Sequence, residues 1–406
     1  MITELEIEGF KSFGSPAQKI SLSALNFVVG ANASGKTNLI SALRFLRNAA
    51  RLNVEFALNE EGGVPEVRNK ILRERIQPKP LVISLKLDAA NTPFFSFRSP
   101  HTPRILGLQY RVEIDLRGDI KAPEIQYEEL SGELEDQAGK RLDYLLKRTK
   151  QEVIINDPTG PGELQVQRLE VPPEEATRLA LNVGFYSLPA VVLRRVIENW
   201  TFYNINPHVA RAPFRETPDV DLGPSGEYLA VILHKLEKQN GKGALDSIIL
   251  GLKGAVPGFK SVKTTQLPVE GTWAFQILEE KIRGAINPAS VSDGTIRLLA
   301  LMVISTWTVQ HASLISIEEP ENGLHPHLSE HIVDILRTAS KTRQILVTTH
   351  NPSFLDYLEP DEVILCDKQD GFTQVRRASD VDHIKTFQKH FRLGELWVQG
   401  TLGGIP

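Results

Sequence analysis

Residues Gly30-Ala-Asn-Ala-Ser-Gly35-Lys36-Thr37 follow a short apolar run, Leu25 to Val29, and open a segment that reads as a helix. In that segment, Lys36 to Ala49, Leu39, Ile40, Leu43 and Leu46 recur at three- and four-residue spacing. Strand, glycine loop and helix in this order are the context that turns the spacing GxxxxGK[ST] from an incidental turn into a phosphate-binding loop. The glycines let backbone N–H groups converge on phosphate oxygens, and the helix N-terminus adds its positive end. Lys36 is expected on the β- and γ-phosphates and the Thr37 hydroxyl on Mg²⁺. Asn32, Ser34, Gly35, Lys36, Thr37 and Asn38 form the candidate nucleotide-binding set.

A second apolar run, Leu314 to Ile317, ends in Glu318 and Glu319. A strand that delivers acids at its C-terminal edge places them beside the phosphate loop of the same sheet. Glu318 is expected to order the hydration shell of Mg²⁺ and Glu319 to position or activate an attacking water. A polar surface turn is the competing reading of EEPENG. One strand later, Gln344 to Val347 leads through Thr348-Thr349 to His350, which either closes the strand or reaches the γ-phosphate. Ser292-Asp293-Gly294-Thr295 precedes an apolar helix, Thr295 to Val309; Ser292 is an N-cap, or its hydroxyl and the local amides meet a phosphate.

Elsewhere Thr3 to Ile7, Leu81 to Leu87 and Leu108 to Leu116 alternate as half-buried strands, whereas Leu130 to Lys150, Leu188 to Trp200 and Gly226 to Lys238 read as helix-like pieces. From Thr272 onward strands and helices alternate, including Pro326 to Thr338 and Glu362 to Cys366, as in a parallel sheet covered by helices. The organisation this suggests is a split domain: 1–121 with the phosphate loop, an inserted, mainly helical 122–271, and 272–406 with the acids and His350.

The chain has 406 residues with 46 basic and 50 acidic side chains, a net charge of −4 that argues against a generic nucleic-acid coat. Its single cysteine, Cys366, excludes an intrachain disulfide and a cysteine-rich zinc site. MITELEIEGF has neither the basic nor the apolar region of a signal peptide, and no apolar run nears the ~20 residues of a membrane span, so a cytoplasmic protein is expected. His325, His327 and His331 suggest a metal, but no HExxH or cysteine accompanies them, and a solvated helix face is the stronger reading. The same holds for Lys140, Arg141, Lys147, Arg148 and Lys150, whose interruption by acids suits a helix face better than a phosphate backbone. Trp200 and Phe202, near Arg194 and Arg195, read as core aromatics beside surface arginines.

Taken in order, the phosphate loop, SDGT before a helix, IEEPENGLHP and LVTTHNPSF resemble an ABC-type ATPase head. More narrowly the chain is similar to the RecF/SMC-like branch of AAA ATPases (the AAA_21 and OLD-like group), found in bacterial anti-phage systems of the Septu, PARIS and overcoming-lysogenization-defect types. GFKSF, WTFYNINPHVAR and LGELWVQGTLGG fit that group's style. The motifs cover about 1–120 and 270–406. The resemblance implies an α/β fold: a mixed or parallel sheet flanked by helices, an antiparallel lobe and the insertion. It implies that Ser292 and Gly294 are the signature serine and glycine, that Asn322 to His325 occupy the D-loop, and that His350 is the switch histidine. The signature reads SDGT in place of LSGGQ, and Glu318 stands where aspartate is usual. Gln77 is the nearest candidate for a Q-loop glutamine, with Gly62-Gly63 as an alternative mark of that turn.

The resemblance further implies ATP and Mg²⁺ as cofactors, and a head-to-tail pair in which the signature of a second copy completes each nucleotide site. ATP hydrolysis involving Lys36, Glu319 and His350 would then remove what holds the pair together. The 56 residues after His350 leave no room for a TOPRIM nuclease domain, and no HNH or GxSxG pattern is present. A switch controlling a separate nuclease effector in anti-phage defence is the leading expectation. A RecF-like, ATP-dependent DNA-binding repair protein is the alternative, and a membrane transporter's nucleotide-binding subunit fits poorly.

Overall fold

The computed structural model of the chain describes residues 1–71, 79–89, 103–116, 123–159, 165–182, 187–238, 243–269 and 271–403. Three sheets organise them. The first is antiparallel and eight-stranded, in the order β2-β1-β4-β5-β6-β7-β8-β9. Its strands are β1 (Ile2–Glu8), β2 (Gln18–Ser21), β4 (Leu81–Asp88), β5 (Arg104–Asp115), β6 (Glu124–Glu135), β7 (Arg141–Thr149), β8 (Glu152–Asn156) and β9 (Val166–Glu170). The second has the order β10-β15-β16-β3-β17-β18. It contains β3 (Leu25–Val29), β10 (Trp200–Tyr203), β15 (Leu314–Glu318), β16 (Gln344–Thr349), β17 (Val363–Gln369) and β18 (Phe372–Arg377). All neighbours in it are parallel except β17 and β18. A small third sheet joins β11 (Phe214–Arg215), β12 (Phe259–Gln266), β13 (Thr272–Glu279) and β14 (Ala285–Ile286).

The helices are α1 (Lys36–Arg51), α2 (Val54–Glu60), α3 (Val64–Val67), α4 (Leu188–Glu198), α5 (Pro207–Ala210) and α6 (Leu229–Lys238). They continue with α7 (Ala244–Ala255), α8 (Asp293–Thr306), α9 (Ser329–Ser340), α10 (Pro352–Leu355), α11 (Ile384–Phe387) and α12 (Leu393–Val398). Among the described residues no helix is long and apolar enough to cross a membrane.

The parallel sheet is buried on both faces, which is why β3, β16 and β15 are mostly apolar and almost continuously buried. Alternation along β3 divides its side chains between two cores. Val28 joins the core containing α1, α4 and the antiparallel sheet; Leu25, Phe27 and Val29 join the one containing α6, α8 and α9. The apolar strands and helices read from the sequence form within a few residues of the expected bounds. The region 122–271, expected to be mainly helical, differs: it contains β6 to β12 beside α4 to α7, and β6 to β9 extend the antiparallel sheet. Within it, residues 130–150, expected to be helical, form the second half of β6 and all of β7, and their apolar Leu142, Tyr144 and Leu146 alternate as strand residues do. The basic cluster therefore does not line a helix face: Arg148 is buried, Arg141 pairs with Glu133 at 3.2 Å, and Lys150 pairs with Glu124 at 2.7 Å.

Candidate functional site

Beyond Val29 the chain turns through backbone that few residue types tolerate. A Cβ on Gly30 would lie 2.1 Å from the Cys366 carbonyl oxygen, and one on Gly35 2.0 Å from Thr373 Oγ1. Ala33 (φ 64°) and Gly35 (φ 114°) are left-handed, and such turns gather successive N–H groups into a concavity that suits an anion. Helix α1 then starts without a side-chain cap and without an acid in its first turn, so its positive end stays available. Ser34 Oγ is buried and makes no hydrogen bond.

Lys36 is almost fully buried and donates to the Gly30 and Ala31 carbonyl oxygens at 2.7 and 2.9 Å. Burial pushes its ammonium below the ordinary lysine value, while the negative potential of Cys366, Glu319 and Glu321 works against that shift. Asn32 and Thr37 are exposed. Asn38 Nδ2 donates to Ser12 Oγ at 2.6 Å, Ser12 Oγ shares a 2.6 Å hydrogen bond with Thr373 Oγ1, and Thr373 Oγ1 donates to the Ser34 carbonyl at 2.9 Å. Ser12 belongs to GFKSF, so this segment braces the loop from behind.

Strand β15 delivers the acids two strands away from β3, with β16 between them. Glu318 accepts from Arg44 Nη2 at 3.1 Å; burial raises its carboxyl above the ordinary value and Arg44 opposes the rise. Glu319 occupies left-handed backbone (φ 44°), and its N–H donates to the Thr348 carbonyl at 2.9 Å. Its carboxylate accepts from Asn322 Nδ2 at 2.8 Å and lies 3.1 Å from His350 Nδ1. Desolvation would raise its pKa, but Asn322, His350 and Lys36 together hold it below the ordinary range. Thus Glu319 is ionised and aimed by two neighbours. His350 follows the last residue of β16 and meets Glu319.

Ser292 caps α8, its Oγ accepting from the Thr295 N–H at 3.1 Å. Ser292 and Asp293 are exposed, whereas Gly294 is buried against the loop after Glu319: a Cβ there would lie 2.7 Å from the Gly323 carbonyl oxygen. The start of α8 and the loop after Glu319 are therefore in direct contact within one chain. Gln77 lies outside the described residues; Gly62 and Gly63, both at positive φ, turn the chain between α2 and α3.

Two residues escaped the sequence reading. Glu321 is buried; its Oε1 accepts the Thr349 hydroxyl, and its Oε2 makes no hydrogen bond. Arg211 contacts the loop before α8 from a segment 77 to 82 residues away in sequence. The acid run EEPE signalled the first; the second closes the WTFYNINPHVAR segment, but nothing local signalled its partners. The histidines do not assemble a metal centre: His325 and His327 Nδ1 atoms are 2.7 Å apart, while His331 Nε2 faces the Gly251 carbonyl at 3.2 Å. Among the described residues no three His, Cys, Asp or Glu side chains converge as a metal site. Trp200 and Phe202 are core residues, with Arg47 and Arg44 rather than Arg194 or Arg195 over the Phe202 ring.

The glycine cradle, the partnerless Ser34 hydroxyl and the buried ammonium of Lys36 fit a nucleoside triphosphate. A divalent ion fits only in company with that ligand, since Thr37 and Glu318 alone supply few donors.

A family model described as "AAA domain, putative AbiEii toxin, Type IV TA system" matches residues 25–356. No curated protein matches the chain. Among solved structures, the SMC head bound to the C-terminal winged-helix domain of ScpA is 14% identical, with a TM-score of 0.56 over 92% of this chain and 97% of that one. The Pyrococcus furiosus Smc head with an extended coiled coil, bound to the C-terminal domain of ScpA, gives 12% and 0.52 over 96% and 98%. The Pyrococcus yayanosii Smc head with a coiled coil and joint gives 10% and 0.50 over 95% and 99%. At these identities the likeness is one of fold: an α/β ATPase head with several sheets flanked by helices.

Proposed function

This chain belongs to that AAA-domain family, and on that premise we propose that it is an ATP-binding and ATP-hydrolysing switch that pairs head-to-tail with a second copy around ATP. The observation that carries the reading is the strand order β15-β16-β3, which brings Glu318 and Glu319, then His350, then the phosphate loop to one edge of one sheet. In this reading the loop amides and Lys36 bind the triphosphate, Ser34 and Asn38 support the loop, and Asn32 lies at its rim. Thr37 and Glu318 hold Mg²⁺, which supplies charge neutralisation at the phosphates. Glu319, kept ionised by Asn322 and His350, orients the attacking water, and His350 reports the γ-phosphate through its contact with Glu319. Ser292 and Gly294 are offered to the nucleotide of the second copy. In support, Ser292 is exposed at the N-terminus of α8, the positive end of that helix.

We place the switch in an anti-phage defence complex, controlling a separate nuclease effector held by surfaces within 122–271. This part of the reading rests on the family description, which names AbiEii and a type IV TA system. The test uses Glu319→Gln. Hydrolysis should fall about 100-fold or more, while ATP and magnesium should convert the chain to a stable pair of twice the mass by light scattering. Purified from its host with ATP, it should retain a stoichiometric nuclease that survives nuclease digestion of bound DNA. DNA alone, lost on digestion, would replace this reading with an ATP-dependent DNA-binding repair protein.

A further inference from the structure

The guanidinium of Arg211 spans the loop that leads into α8. Its Nε donates to the Pro288 carbonyl at 2.9 Å, and its Nη2 donates to the Val291 carbonyl at 2.8 Å and to Asp293 Oδ1 at 2.5 Å. The side chain is largely buried, whereas Asp293 is open to solvent. The segment that delivers it is itself fixed. Strand β10 pairs with β15, the strand that carries Glu318. The Asn204 and Asn206 N–H groups donate to the Pro224 and Ser225 carbonyls at 2.9 Å each, and Asn206 caps α5 by accepting from the His208 N–H at 3.0 Å. Gly226 lies so close to Ala210 that a Cβ there would be 2.8 Å from that methyl group.

We propose that Arg211 is a positioning residue that holds residues 288–293 in the shape in which Ser292 and Gly294 can receive the nucleotide of a second copy. This rests on the head-to-tail reading above. The three acceptors lie on different residues of the loop, so one planar fork fixes its path where a single ammonium would fix one point. Without the fork the Val291 carbonyl loses its guanidinium donor, the Pro288 carbonyl keeps only the Val291 N–H at 3.2 Å, and Asp293 is free to turn across the approach to Ser292.

The test separates loading of a chain's own site from completion of its partner's. Arg211→Ala should bind a fluorescent ATP analogue as wild type does, yet ATP-driven pairing and hydrolysis should each fall at least about tenfold. Mixed with Lys36→Ala, which lacks loading but keeps its signature, Arg211→Ala should regain about a quarter of the wild-type rate per chain. Half of the pairs formed in an equal mixture are mixed, and each has one intact composite site of two. Arg211→Lys, which keeps the charge but not the fork, should pair more weakly than wild type with unchanged ATP binding; it serves as the readout if the alanine variant does not fold. Wild-type pairing by either variant, or absence of recovery in the mixture, overturns the proposal. Wild-type chain that does not pair in ATP would instead overturn the head-to-tail reading, before any variant is compared.

Discussion

At the scale of single residues, two carboxyls two positions apart are driven in opposite directions. Glu319 sits in a strained backbone conformation of a kind that costs about 1–3 kcal/mol and is held there by a hydrogen bond to Thr348. Asn322 and His350 keep it ionised. Glu321 is buried with one oxygen on the Thr349 hydroxyl, and burial raises its carboxyl above the ordinary glutamate value of 4.5. The folded chain thus holds a proton on Glu321 more tightly than the unfolded chain does. The resulting stability is fully present below pH 4.5 and is lost as pH rises through the raised value. Glu321→Gln, neutral at every pH, should flatten the melting temperature above pH 4.5, by about 1.4 kcal/mol of stability for each pH unit by which the carboxyl is raised. Thermal melts across pH check this, and a variant profile parallel to wild type would refute it.

At the scale of elements, a buried ion pair within the antiparallel sheet also holds the segment beside it through the hydrogen bonds of its two members. Glu128 accepts from the Tyr110 hydroxyl at 2.9 Å and from the Ala180 N–H at 2.6 Å, and Arg148, 3.9 Å from Glu128, donates to the Glu175 carbonyl at 2.7 Å. Glu128→Ala would leave Arg148 buried without its countercharge and should destabilise the fold by about 3–5 kcal/mol, while the remaining folded protein binds ATP as before; denaturant unfolding and nucleotide titration read the two effects. The sequence made the phosphate loop legible because all of its determinants are local: an apolar strand, glycines where a Cβ has no room, and a helix without a first-turn acid. The acids and His350 were legible because each ends a strand of the same apolar kind. Residues 130–150 misled because their charge density masked the two-residue period of Leu142, Tyr144 and Leu146. Arg211 and the Ser12–Thr373 brace were illegible because their partners lie 77 to 361 residues away, and only the folded topology brings them together.

At the scale of the whole molecule, nucleotide that binds the folded chain alone should raise its stability by about 2.7 kcal/mol at a hundredfold excess over Kd. Differential scanning fluorimetry with ATP and magnesium should show this shift in wild type and none in Lys36→Ala; an equal shift in both would place the ligand elsewhere. The same architecture governs when the site can exist at all. Strand β3, which carries the phosphate loop, is flanked by β16 and β17, and the loop's brace is completed by Thr373 on β18. During synthesis the loop sequence emerges early, but its strand has no neighbour until β16 has been made and its brace no anchor until residue 373 has followed. A nascent or prematurely terminated chain therefore carries the loop's sequence without the neighbours that give the loop its shape, so whatever the loop binds must wait for the rest of the body to be built.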